Sequence, residues 1–212
     1  MEITRNLAVG ISLGQPADGS ALALVEYFKP AQQFKFYVRD LCRVPPLSSY
    51  QAVIKAIDEL LATKVLSQTK KIGEHGTVYD INYRILIVVD QTVVGGPIVD
   101  MILAGFNNRE TCRVIISGNH TEKYSDGLYY VPKQTLISNM NALLETQTLG
   151  IKPGSECQAL TKQLIEYRNQ KTPAGSPTGN GWRERPSDDL VFAVGIACWK
   201  LENLGFFEYD GR

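Results

Sequence analysis

LAVGISLGQPADGSALALVE, residues 7–26, is the stretch that decides how this chain folds. Leu7, Val9 and Ile11 alternate with smaller residues as far as Gly14-Gln15-Pro16-Ala17-Asp18-Gly19, and Ala21, Ala23 and Val25 resume the apolar run. A period of two places side chains on opposite faces of a strand, and Gly, Pro and Asp between two such runs mark a turn. The stretch therefore reads as a hairpin that begins a sheet. Ser12 stands at the end of its first strand, polar but without charge, and Asp18 is a turn residue.

Moving outward, Gln33 to Val44 reads as a third strand, with Phe34, Phe36, Val38 and Leu41 as its apolar members and Pro45-Pro46 as its stop. Ser48-Ser49 offers an N-cap, and Val53, Ile54, Ile57, Leu60 and Leu61 share one helical face, predicting a helix over 49–63 with a frayed continuation to Lys71. Tyr83 to Asp90 (YRILIVVD) is apolar on both faces, the pattern of a buried central strand covered by helices on each side. A helix over Pro97 to Ala104 and a strand over Thr111 to Ser117 complete a parallel crossover unit. Gly118 to Gly127 reads as a polar turn and Leu128 to Val131 as a short extended piece. Helices follow over Lys133 to Leu149 and Glu156 to Lys171. A Pro/Gly/Ser-rich loop spans 172–187, and a last helix starts at Ser187 or Asp188. The fold class expected is α/β, a mixed sheet flanked by helices in one domain over 1–212.

Lys plus Arg and Asp plus Glu each number 22, so net charge offers no long-range grip on nucleic acid, although a local basic face is compatible with it. No run of 18 apolar residues exists, and MEITRN lacks the layout of a signal peptide, so neither a membrane span nor a leader is expected. Cys42, Cys112, Cys157 and Cys198 form no Cys-x-x-Cys pair; they read as reduced thiols of a cytosol-like compartment. P-loop, HExxH and Gly-x-Ser-x-Gly motifs are absent, which removes the chemistry of P-loop ATPases, zinc proteases and serine hydrolases.

Sites of open α/β sheets form beyond the carboxyl ends of the strands. Asp90 and Ser12 both stand there, and Asp188-Asp189 opens the last helix, whose N-terminus favours carboxylates. Taken singly, Asp90 is more often a turn cap and the acidic pair an ordinary helix start. Brought together, such acids require a divalent cation of the Mg²⁺ or Mn²⁺ type to offset their repulsion, and two such ions suit phosphodiester hydrolysis. Arg183 and Arg185 are the basic residues of the 172–187 loop and candidates for nucleic-acid phosphates.

Four stretches in order resemble the large-terminase nuclease domain of tailed phages, a ribonuclease H-like fold: VGISLGQPADGSALALVE, LCRVPPLSSYQAVIKAI, IVVDQTVVGGPIVDMI and SDDLVFAVGIACW. VPKQTLISNMNALLE also looks like that family's late helix. The resemblance implies a DNA endonuclease acting in viral DNA packaging inside a host cell. It implies Mg²⁺ or Mn²⁺ at Asp90 and at Asp189 or Asp188, of which Asp189 is preferred. Double-stranded DNA would be the partner, with a packaging ATPase or portal protein beside it. The chain departs from the pattern at three places: Ser12 replaces the first-strand acid, Pro186-Ser187 the usual His, and Val93 a glycine. Weakened catalysis is one expectation, and an inactive ribonuclease H-like module for DNA binding or assembly is the alternative. The hairpin also resembles the first hairpin of sugar-kinase and actin-like ATPases, but those need a second such domain and a second phosphate loop.

Overall fold

The computed structural model describes residues 2–15, 18–28, 35–62, 70–72, 78–118, 121–169 and 189–204. The opening hairpin is formed by β1 (Glu2–Leu13) and β2 (Ser20–Tyr27), followed by β3 (Phe36–Val44) and α1 (Tyr50–Leu61). Next come β4 (Lys70–Ile72), β5 (Val78–Asp90), α2 (Gly96–Ala104), β6 (Glu110–Ser117), β7 (Lys123–Ser125) and β8 (Leu128–Pro132). The remaining elements are α3 (Lys133–Glu145), β9 (Leu149–Ile151), α4 (Ser155–Asn169) and α5 (Asp189–Glu202).

Nine strands form one sheet in the order β7-β8-β6-β5-β1-β2-β3-β9, with β4 paired to β5. β1 runs antiparallel to β2 and parallel to β5, and β5 runs parallel to β6. The alternation of β1 divides the core. Leu7, Val9, Ile11 and Leu13 face α1 and α2, whereas Ala8 belongs to the opposite layer with α3, α4 and α5. β5 divides in the same way, Ile85, Ile87 and Val89 against Leu86 and Val88. Both faces of the sheet are thus covered, as continuous apolar runs in parallel strands require.

α5 lies against β1 and β2 with α3 and α4 at its flanks. Of residues 190–201, all but Phe192 are buried, which matches a helix apolar on every side. Gly10 makes the contact close: a Cβ there would lie 2.0 Å from the Ala193 carbonyl oxygen. Only a residue without a side chain permits that approach.

Some expected boundaries move. Ser49 caps α1, its hydroxyl accepting from Ala52 N, but Lys70-Lys71 are in β4 rather than in a helical continuation. The helix expected to reach Leu149 stops at Glu145, and Leu149 enters β9 beside Phe36 of β3. Within the expected polar turn, Lys123–Ser125 pairs antiparallel with β8. Each missed strand is three residues long, too short to show a period, and exists through its sheet partner. Residues 33–34, 63–69 and 170–188 lie outside the described set.

Candidate active site

The site is built by strand register. Ser12 pairs with Asp90 on one side and Ala21 on the other, and Ala21 pairs with Arg43. Asp90, Ser12, Ala21 and Arg43 therefore form one row across β5, β1, β2 and β3. In-register residues of neighbouring strands share a face and stand about 4.8 Å apart. That face is the one covered by α5, and the row lies at the carboxyl ends of β1, β5 and β3.

Arg43 reaches this face because of an irregularity. The pairing of β2 with β3 shifts between Leu24 and Val25: Val25 opposes Val38, but Leu24 opposes Asp40. The extra residue exchanges the two faces of β3. Phe36 and Val38 point to the α5 layer before the shift, and Leu41 packs there after it. Arg43 follows two residues later.

Asp90 is 5 % exposed and Ser12 8 %, so the floor of the site is nearly dry. A buried carboxylate needs donors. Oδ1 of Asp90 accepts from Thr92 N at 2.9 Å and from the Thr92 hydroxyl. Thr92 Oγ1 in turn accepts from Ile116 N at 2.8 Å, tying the loop after β5 to β6.

Asp189 is the first residue of α5, and its Oδ1 accepts from Leu190 N at 2.9 Å. The same oxygen accepts from Gln163 Nε2 of α4 at 2.7 Å and from Arg43 Nη2 at 3.2 Å. Gln163 is buried, and its Oε1 accepts from Val191 N at 3.3 Å. Arg43 Nε also lies 3.5 Å from Glu156 Oε2, an ion pair without hydrogen-bond geometry.

Asp90, Ser12 and Asp189 are thus placed at one end of the sheet, the first two side by side and the third on the helix crossing the same face. Asp188, Arg183 and Arg185 lie outside the described residues. Arg43, Gln163 and Thr92 were not among the site residues expected from the sequence. Arg43 depends on the shifted register, and Gln163 on a helix packing beside α5. Thr92, two residues after a strand-ending Asp, was open to recognition as its donor.

The donor chemistry available is one carboxylate beside one hydroxyl, plus a second carboxylate whose Oδ1 already takes three donors. Among the described residues no group of three or more His, Cys, Asp or Glu is placed to hold a metal ion. Among the described residues this donor set is smaller than the pair of divalent ions implied by the resemblance would take, and Asp188 lies outside them. All four cysteines are free. Burial pushes the Cys112 thiol up to about 12 and raises Cys198 further, so both are inert thiols. Among the described residues no helix is long and apolar enough to cross a membrane.

A mixed sheet whose first strand pairs antiparallel with the second and parallel with β5, covered by helices on both faces, is a ribonuclease H-like architecture. Within that class the chain shares the fold of terminase nuclease domains. The human cytomegalovirus terminase nuclease domain superposes with a TM-score of 0.54 at 12 % identity, covering 93 % of this chain and 84 % of that one. The large-terminase nuclease domain of bacteriophage SPP1, solved with bound Mn, superposes at 0.48 with 15 % identity, covering 92 % and 86 %. No protein-family model matches the sequence, and no curated protein is similar to it in sequence.

Proposed function

We propose that this chain is a terminase-type nuclease domain that engages double-stranded DNA in viral DNA packaging, with its hydrolytic centre weakened by Ser12. The observation that carries the reading is the register Ser12–Asp90 at the carboxyl ends of two parallel strands, with Asp189 opening the helix across that face. Asp90 is the principal acid. Asp189 and Asp188 are the proposed acids of α5, and Arg183 and Arg185 the proposed phosphate contacts. The ion sought is Mn²⁺ or Mg²⁺, held weakly because a neutral hydroxyl is a poor ligand where a carboxylate is expected. A packaging ATPase or portal protein is the proposed partner.

The test is duplex cleavage in Mn²⁺. Slow nicking by the wild type, abolished in Asp90→Ala, is the expected result. A second reading, an inactive module that binds DNA or a packaging partner, is favoured by the commitment of Asp189 to Arg43 and Gln163. Duplex binding without cutting beyond the Asp90→Ala level selects it. Neither binding nor cutting rejects both.

A further inference from the structure

Arg43 belongs to none of the roles assigned above, yet it enters the site in register. We infer that Arg43 is the resident cation of this centre, neutralising Asp189 in place of a divalent ion. The inference rests on the terminase-type reading of the site, though not on whether the chain cuts DNA.

Three observations converge. The register shift at Leu24/Val25 brings Arg43 to the α5 face, in line with Asp90, Ser12 and Ala21. Its guanidinium forks between acids of two helices, with Nη2 3.2 Å from Asp189 and Nε 3.5 Å from Glu156. Gln163, 4 % exposed, donates to the same Asp189 oxygen at 2.7 Å and is itself fixed by Val191 N, so the carboxylate is held facing the arginine.

The charges support the same conclusion. A guanidinium stays protonated at every accessible pH and presents a planar fork that suits two carboxylates. It carries a single positive charge, fewer than a divalent ion would bring. A centre with serine at position 12 has one negative charge fewer to offset, so the neutral residue and the tethered cation compensate each other. Asp189 is then compensated without any ion from solution.

The experiment compares the wild type with Arg43→Met, Arg43→Lys, Ser12→Asp and the double variant Ser12→Asp/Arg43→Met. Thermal unfolding with and without millimolar Mn²⁺ is one readout, and calorimetric Mn²⁺ titration is the other. Wild type and Arg43→Lys should respond to the ion only weakly, and less than Arg43→Met. Arg43→Met should melt lower and recover by about 3 °C in Mn²⁺, the shift expected for binding at roughly ten times Kd in a chain this long. The double variant should bind Mn²⁺ at least about tenfold more tightly than Ser12→Asp, because contacting charges do not act additively. Arg43→Met no more responsive to Mn²⁺ than the wild type overturns the inference, and so does Ser12→Asp binding as tightly as the double variant. If Arg43→Met does not fold in metal-free buffer, refolding from urea applies the same criterion: recovery only with Mn²⁺ supports the inference, and no recovery with it overturns it. Duplex binding by the wild type is measured alongside. Its loss would reject the terminase-type reading, while the Mn²⁺ response still judges Arg43 alone.

Discussion

A methyl group at position 10 would stand 2.0 Å from a backbone oxygen of α5, and neither partner is a flexible side chain. Gly10→Ala must therefore lift the helix off the sheet. The expected cost is about 3 kcal/mol, at the upper end of overpacking and backbone effects, and urea unfolding would measure it. Thr92 makes a different demand, since it donates to Asp90 and accepts from Ile116 N. Thr92→Val leaves the buried Ile116 amide without its acceptor and takes one of the donors from the Asp90 carboxylate. It should lose about 1–3 kcal/mol, whereas Thr92→Ser should stay close to the wild type in the same assay. At this scale the sequence was only partly legible. Ser12 could be placed near a strand end from the alternation of β1, and Asp90 from the continuous apolar run of β5 that stops at it. Their pairing could not, since register is set between strands.

Among elements, α4 and α5 depend on one side chain. Gln163 joins them through Asp189 and Val191 N. Gln163→Leu should preserve helix content and cost about 1–2 kcal/mol, with faster amide exchange at Val191 as its signature. The long elements were readable in advance for identifiable reasons. β5 has a run of apolar residues no helix of that length would need, and α1 has a serine cap before a single apolar face. β4, β7 and β9 were hidden because three residues carry no period and depend on β5, β8 and β3 for their hydrogen bonds. β3 was legible as a strand but not in its facing. Leu41 falls out of step with Phe36 and Val38, and that break is the trace of the shift that turns Arg43 toward α5.

For the molecule as a whole, the buried thiols make stability depend on pH. Cys112 and Cys198 have folded-state values raised above the ordinary 9.0, chiefly by burial. Their contribution is fully present below the unfolded value and declines as pH rises above 9, because the unfolded chain then gives up protons that the folded chain keeps. Each thiol should lower stability by about 1.4 kcal/mol per pH unit in that range. Denaturant midpoints at pH 8 and 10.5 would show the loss, and it should shrink in Cys112→Ala/Cys198→Ala. The layered α/β arrangement was legible from the order of strong elements. The placement of β9 at the far side of β3 was not, because α3 carries the chain from β8 at one side of the sheet to the opposite margin.

The contact between Gly10 and Ala193 also has a consequence for biosynthesis. The strand that receives α5 is made first, and α5 is the last of the described elements to be made. Ala8, Ala21, Ala23, Val88 and Val114, which are buried with α5 in the finished protein, emerge from the ribosome long before the helix that covers them. Long sequence separation slows closure, and an open apolar face invites association with other nascent chains. A polypeptide released before residue 189 would expose that layer and should be a substrate for chaperones, whereas release after 204 allows the layer to close.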